Sequence, residues 1–140
     1  KPFNTLEMLA FNVYGHKLPV LTLIDAKMEE VYAALYSSRI KEIIPPQNAK
    51  PIDFLNQIKE KVVIVGDGAI KYKDIIDKSG IQYELALPHQ NIPLASSMIS
   101  MIQKLKKIPE FDFDFIANLE PYYLRKSQAE LAKFGKKGNR

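Results

Sequence analysis

The 140-residue sequence contains no cysteine. That excludes a disulfide scaffold, a thiolate zinc site and a cysteine nucleophile, and it fits a reducing compartment such as the cytoplasm. Histidine is scarce. His16 and His89 lie far apart and form no H-x-x-x-H or H-E-x-x-H pair, which argues against a zinc protease. Serines are present, yet none sits in a G-x-S-x-G elbow, and Ser96-Ser97 reads as a small packing surface on a helix. No apolar run approaches the ~20 residues of a membrane span, so no membrane partner is expected. There is no internal repeat, low-complexity tract or linker.

What is present is the composition of an ordinary folded domain, with 46% hydrophobic and 26% charged residues. The formal net charge is +4. All of it sits in the last eight residues, as Lys133, Lys136, Lys137 and Arg140 with no acid, so residues 1–132 sum to zero. Gly135, Gly138 and Asn139 mark that basic stretch, residues 133–140, as a flexible solvated tail. Lys104, Lys106 and Lys107 close a predicted helix, where cations oppose the negative end of the dipole.

The patterning then orders the elements. Asn4 caps a helix over 5–14, with Glu7 completing an Asn version of the capping box and Gly15 as the stop. Pro19 to Ile24 reads as a buried strand and Glu30 to Ser37 as an alternating one, joined at hairpin distance by Asp25 to Glu29. Arg39 to Ile44 makes a third strand, which Pro45-Pro46 is expected to close. Pro51 opens a helix with Ile52, Leu55 and Ile58 on one face, up to about Glu60. The β-branched run Val62 to Val65 reads as a strand covered on both faces. Gly66-Asp67-Gly68-Ala69 turns it into a helix marked by Tyr72, Ile75 and Ile76, which stops near Ser79-Gly80. Ile81 to Leu85 is a short edge strand. Asn91 is expected to cap a long helix striped by Leu94, Met98, Met101, Ile102 and Leu105, and Pro109 to end it. The alternating Phe111, Phe113 and Phe115 read as an extended arm packing on the core. Asp112 and Asp114 between them do not suit a base-stacking surface. A short helical piece follows around Ser127 to Phe134.

This β-β-β-α-β-α-β-α order is that of a ribonuclease-H-like α/β lobe: a mixed five-stranded sheet, three strands antiparallel and two parallel, with flanking helices. In that layout Asp25 and Asp67 fall at strand ends that are close in space. Paired carboxylates there hold Mg²⁺ in two-metal nucleases, with Asp53 or Glu60 completing the set. The plainer alternative makes both aspartates turn residues that cap backbone N–H groups. The glycine turn is open to a phosphate, but Asp67 puts a negative charge where the phosphate would sit.

Four segments carry a more specific likeness. They are Thr5 to Ala10, Asp25 to Tyr32, Val63 to Ala69, and Pro121 to Arg125 followed by Ala129-Glu130, which resemble in turn the family patterns T-L-E-x-L-A, D-A-R-x-x-E-V-Y, V-x-G-D-G-A and P-x-Y-L-R followed by A-E. In this order they resemble the C-terminal half of the TsaB (formerly YeaZ) branch of the glycoprotease-like family, in the actin/Hsp70/sugar-kinase superfamily. Lys27 stands where that family usually has Arg, keeping the charge and losing the planar fork. The resemblance implies that Asp25, Glu30, Tyr32, Gly66, Asp67, Gly68, Pro121, Tyr123, Leu124 and Arg125 are signature positions, most of them structural. It implies a non-catalytic scaffold in making threonylcarbamoyladenosine at position 37 of tRNA, partnered by the catalytic paralogue TsaD and the ATPase TsaE, with tRNA engaged only indirectly.

Because members have two lobes with nucleotide bound between them, residues 1–132 are expected to be one lobe of a longer protein, consistent with Lys1 in place of an initiator Met. No metal or cofactor is expected, and the lobe alone should bind ATP poorly. It should expose apolar surface, for which Leu6, Leu9 and Val13 are candidates, and this favours a homodimer. The competing readings are a metal-dependent nuclease using Asp25 and Asp67, and a lobe of a sugar or acyl kinase.

Overall fold

A computed structural model of the chain describes residues 3–104, 110–120 and 124. Its strands are β1 (Val20–Lys27), β2 (Glu30–Tyr36), β3 (Glu42–Ala49), β4 (Val62–Val65) and β5 (Tyr83–Leu85). They form one sheet in the order β3-β2-β1-β4-β5. β1, β2 and β3 pair antiparallel as a meander, while β4 is parallel to β1 and β5 to β4. This is the expected mixed α/β sheet. The Val62–Val65 run is central and buried throughout, as a β-branched strand covered on both faces should be.

The helices are α1 (Thr5–Phe11), α2 (Pro51–Leu55), α3 (Asp67–Lys71), α4 (Lys73–Ser79), α5 (Ala95–Gln103) and α6 (Phe113–Ala117), with a 3₁₀ turn at Pro88–Asn91. One sheet face packs Leu21, Leu23, Val31, Leu35, Val62 and Ile64 against Phe54, Leu55, Tyr72 and Ile76 of α2 and the α3–α4 pair. α1 buries Leu6, Leu9 and Ala10 against β1 and β2. By contact, residues 1–110 and 111–140 are separate units. Among the described residues no helix is long and apolar enough to cross a membrane.

Several sequence expectations need correction. Asn4 does cap α1, its Oδ1 accepting from the Glu7 N–H at 2.7 Å. The helix nevertheless ends at Phe11, and Gly15 takes its left-handed φ of 94° beyond a run of tight turns. Leu6, Leu9 and Val13 are buried, so they are no exposed surface; α1 packs on β1, β2 and α5. β3 runs through Pro45 and Pro46 instead of stopping there. It does so as an edge strand whose ladder skips from Ile44 to Gln47, so neither proline owes a hydrogen bond. α2 is one short turn, and it points Phe54 and Leu55 inward while Ile52 is exposed. The next helix is two, α3 and α4, meeting at Tyr72, and Gly80 ends the second with φ 77°.

Asn91 does not cap the long helix, which starts later, with Leu94 at its N-cap. Its Oδ1 instead accepts from the Gly66 N–H at 2.8 Å. Ser97 is the buried packing residue expected, and Met101 is buried with it, but Met98 and Ile102 are exposed. Residues 113–117 are helical, and Phe111, Phe113 and Phe115 are exposed, so they make no strand. Asp112 Oδ1 accepts from the Phe115 N–H, an N-cap that the alternating pattern concealed. The expected helical piece at Ser127 to Phe134, the basic tail, Leu105 and Pro109 lie outside the described residues.

Phe54 is fully buried and Ile52 is not. Replacing Phe54 by Ala should therefore destabilise the fold by about 3–5 kcal/mol, and Ile52→Ala by no more than about 0.5 kcal/mol. Urea unfolding of both variants checks the inward face of α2.

Candidate functional site

The site grows from the turn between β4 and α3. Gly66 has φ 116° and ψ 166°, a region that a side chain disfavours. A Cβ on Gly66 would lie 2.1 Å from the Leu23 carbonyl oxygen, and one on Gly68 would lie 2.9 Å from it. The turn thus lies directly on the backbone of β1. This proximity carries Asp67, the first residue of α3, to the end of β1, where its Oδ1 accepts the Asp25 N–H at 3.0 Å.

Asp25 lies inside β1 opposite Val31, not in the turn itself. Its carboxylate still serves the turn, because Oδ1 accepts the Lys27 N–H at 3.0 Å. Lys27 Nζ reaches Oδ2 at 2.9 Å, and Lys71 Nζ at the end of α3 reaches Oδ1 at 2.9 Å. The Tyr72 hydroxyl donates to the same Oδ1 at 3.0 Å and lies 3.3 Å from the Glu30 carbonyl. Lys71 Nζ also stands 5.2 Å from the centre of the Tyr72 ring. The Asp25 side chain is only 5% exposed. The Lys71 ammonium, then that of Lys27, hold its carboxyl well below the usual carboxylate range. Burial, then the Asp25 carboxylate, push the Tyr72 phenol up, which keeps it a donor.

Of the other signature candidates, Glu30 opens β2 and accepts from Asn48 Nδ2 at 2.8 Å. Tyr32 sits mid-strand between Ile24 and Asn48. Leu124 is partly buried, while Pro121, Tyr123 and Arg125 fall outside the described residues. The structure therefore joins Asp25, Glu30, Gly66, Asp67 and Gly68 in one cluster, and adds Lys71 and Tyr72, which the sequence reading did not select. Lys71 was legible only as a cation one helical turn past Asp67. Asp53 and Glu60 do not join Asp25 and Asp67 in a metal set: among the described residues no three His, Cys, Asp or Glu side chains are placed to hold one. Two ammonium groups occupy the carboxylate that the nuclease reading would give to Mg²⁺.

A second network was also missed. Asn12 Nδ2 donates to the carbonyls of Gln90 and Ile92 at 2.7 and 2.8 Å, and the Ser97 hydroxyl donates to its Oδ1. Gln90 Nε2 returns a bond to the Asn12 carbonyl at 3.1 Å. With the Asn91 bond to Gly66, the 87–97 segment is tied to the end of α1 and to the glycine turn.

Comparison with known proteins gives this geometry a context. TsaB of Bacillus subtilis strain 168, a tRNA threonylcarbamoyladenosine biosynthesis protein, is 28% identical over 134 residues, covering 91% of this chain and 56% of that protein. The chain is similar to TsaB. The family likeness read from the sequence thus holds along most of the chain, which spans little more than half the length of that curated relative. The crystal structure of an uncharacterized Pseudomonas aeruginosa protein with similarity to the peptidase YeaZ matches with a TM-score of 0.62 at 19% identity, over 88% of this chain and 57% of that one. At that identity the match concerns the fold, and it agrees with the ribonuclease-H-like layout. No family profile matches the chain. The segments D-A-K-x-x-E-V-Y (residues 25–32) and V-G-D-G-A (residues 65–69) meet at Asp25.

Two expectations follow. Gly66→Ala should cost about 3 kcal/mol or more, since it combines a disfavoured φ with a clash against backbone. Gly80→Ala, with open space around it, should cost about 1–2 kcal/mol. Chemical unfolding of the pair separates close approach from backbone preference. Asp25 has its folded value depressed below the ordinary 3.8. Its contribution to stability is therefore fully present above that ordinary value and is lost as pH falls towards the lower folded one. Between about pH 5 and about pH 2 the wild type should lose more stability than Asp25→Asn. Urea midpoints across that range are the measurement.

Proposed function

We propose that this chain is one lobe of a non-catalytic scaffold subunit in tRNA threonylcarbamoyladenosine biosynthesis. The reading rests chiefly on the similarity to TsaB over 91% of the chain. The chemistry at the signature cluster supports it. A general base or metal ligand needs a carboxylate with a free lone pair near its working pH. Asp25 instead accepts from two ammonium groups, a phenol and a backbone N–H, three of them on Oδ1, and holds its charge far below neutrality. Those bonds fix strands and helices to each other. The cluster is accordingly a structural joint, and chemistry belongs to a partner: a TsaD-like catalytic paralogue, assisted by a TsaE-like ATPase, in the cytoplasm. tRNA reaches this lobe only through those partners.

The test is reconstitution. The full-length protein, a TsaD-like subunit, a TsaE-like ATPase, ATP, a threonylcarbamoyl donor and unmodified tRNA are combined, and modified nucleoside is measured by mass spectrometry. Modification is expected only when the protein and both partners are present, and none from the protein alone. Unchanged yield on omitting it, or turnover by the protein alone, would sink the scaffold reading.

A further inference from the structure

The tip of the β1–β2 hairpin has an unusual backbone. Lys27, Met28 and Glu29 take positive φ in succession, at 63°, 53° and 62°, and none is glycine. Lys27 pairs with Glu30, so Met28 and Glu29 occupy the two central turn positions. A two-residue turn of this hand favours Asn-Gly there, because both residues must be left-handed. Met and Glu are poor choices for such a backbone, and Lys27 adds a third strained residue at the register shift between Asp25 and Lys27. A strained segment persists only where its surroundings over-determine it.

Several of the contacts that do so converge on one side chain. Asp25 accepts both the backbone N–H and the Nζ of Lys27. Lys71 and Tyr72, on α3 and at its junction with α4, grip the same carboxylate. The Tyr72 hydroxyl also lies within reach of the Glu30 carbonyl on the far side of the turn, and Asp67 fixes the Asp25 N–H. Both arms of the hairpin are thereby attached to the helices beneath them. We propose that Asp25 is a positioning residue: its carboxylate, anchored by Lys71 and Tyr72, clamps Lys27, Met28 and Glu29 in a left-handed shape that these residues do not hold alone.

A cycle between clamp and tip tests this. Met28→Asn with Glu29→Gly supplies a turn sequence that holds the shape unaided. Asp25→Ala is then made in both the wild-type and the Asn-Gly backgrounds, and Tm and amide exchange are recorded. In the wild-type background the Lys27 amide should exchange at least about tenfold faster, with Leu23 and Ile64 amides slowed or hastened much less. In the Asn-Gly background the Tm drop caused by Asp25→Ala should be roughly half or less. Asp25→Asn, which keeps one acceptor, should recover part of the Lys27 protection. Equal Tm drops in the two backgrounds, or wild-type exchange at Lys27 in Asp25→Ala, would overturn the proposal. Should Asp25→Ala fail to fold, Tyr72→Phe and Lys71→Met in the same two backgrounds decide it by the same comparison.

Discussion

The approach of the β4–α3 turn to the Leu23 carbonyl governs the arrangement around it. Parallel pairing of β4 with β1 runs Val20, Leu21 and Thr22 beside Val63, Ile64 and Val65. The chain leaves β4 while still against its neighbour, and only a residue without a Cβ fits over Leu23. Gly66 then fixes the direction of α3. That direction sets Asp67 under the Asp25 N–H and, one turn later, Lys71 and Tyr72 under the Asp25 carboxylate. A methyl more or less on a buried β4 side chain is a packing change of about 0.5–3 kcal/mol that stays local. A shift of this turn would displace every group of the cluster together.

The electrostatics of the cluster follow from that placement. Asp25 is a nearly buried carboxylate, and such a group is tolerated only when paired and hydrogen-bonded. Lys27 and Lys71 are well exposed, with 81% and 48% of their side chains accessible, so their attraction is screened and each contact alone is weak. The hydroxyl and the amide of the pocket supply what the ammonium groups do not. The result is an ionised acceptor with four donors around it. A phosphate at the same turn would meet Asp67, and a divalent cation would have to displace two lysines. The contacts that make the joint firm thus compete with the Mg²⁺ that the nuclease reading required.

Much of this was legible in the sequence because period-two and period-three patterns survive in single stretches. Val62 to Val65, the Glu30 to Tyr36 alternation and the Asn4 cap each carry their meaning locally. The misreadings share a different cause: the deciding partner is distant in sequence. Pro45 and Pro46 look like a strand end until β3 is seen at the sheet edge with its ladder skipping them. Asn91 looks like a helix cap until Gly66 presents an N–H to it. Leu6 and Leu9 look like part of an exposed stripe until α1 is laid on β1 and β2. Asp25 stands out in the sequence, but its partners Lys71 and Tyr72 are more than forty residues away and carry no motif. Their selection required the crossover from β4 to be laid over β1.

The charge distribution bears on how such a lobe relates to a polyanion. Affinity for a nucleic-acid backbone comes mainly from lysines and arginines that displace counterions from phosphates. Residues 1–132 have no net charge, and within the described part Lys27, Lys71, Lys73 and Lys61 are each committed to a carboxylate. Lys104 is stationed over the Tyr14 ring at 2.8 Å from its centre. A lysine engaged in this way can reach a phosphate only by giving up its partner, which reduces the net gain from the exchange.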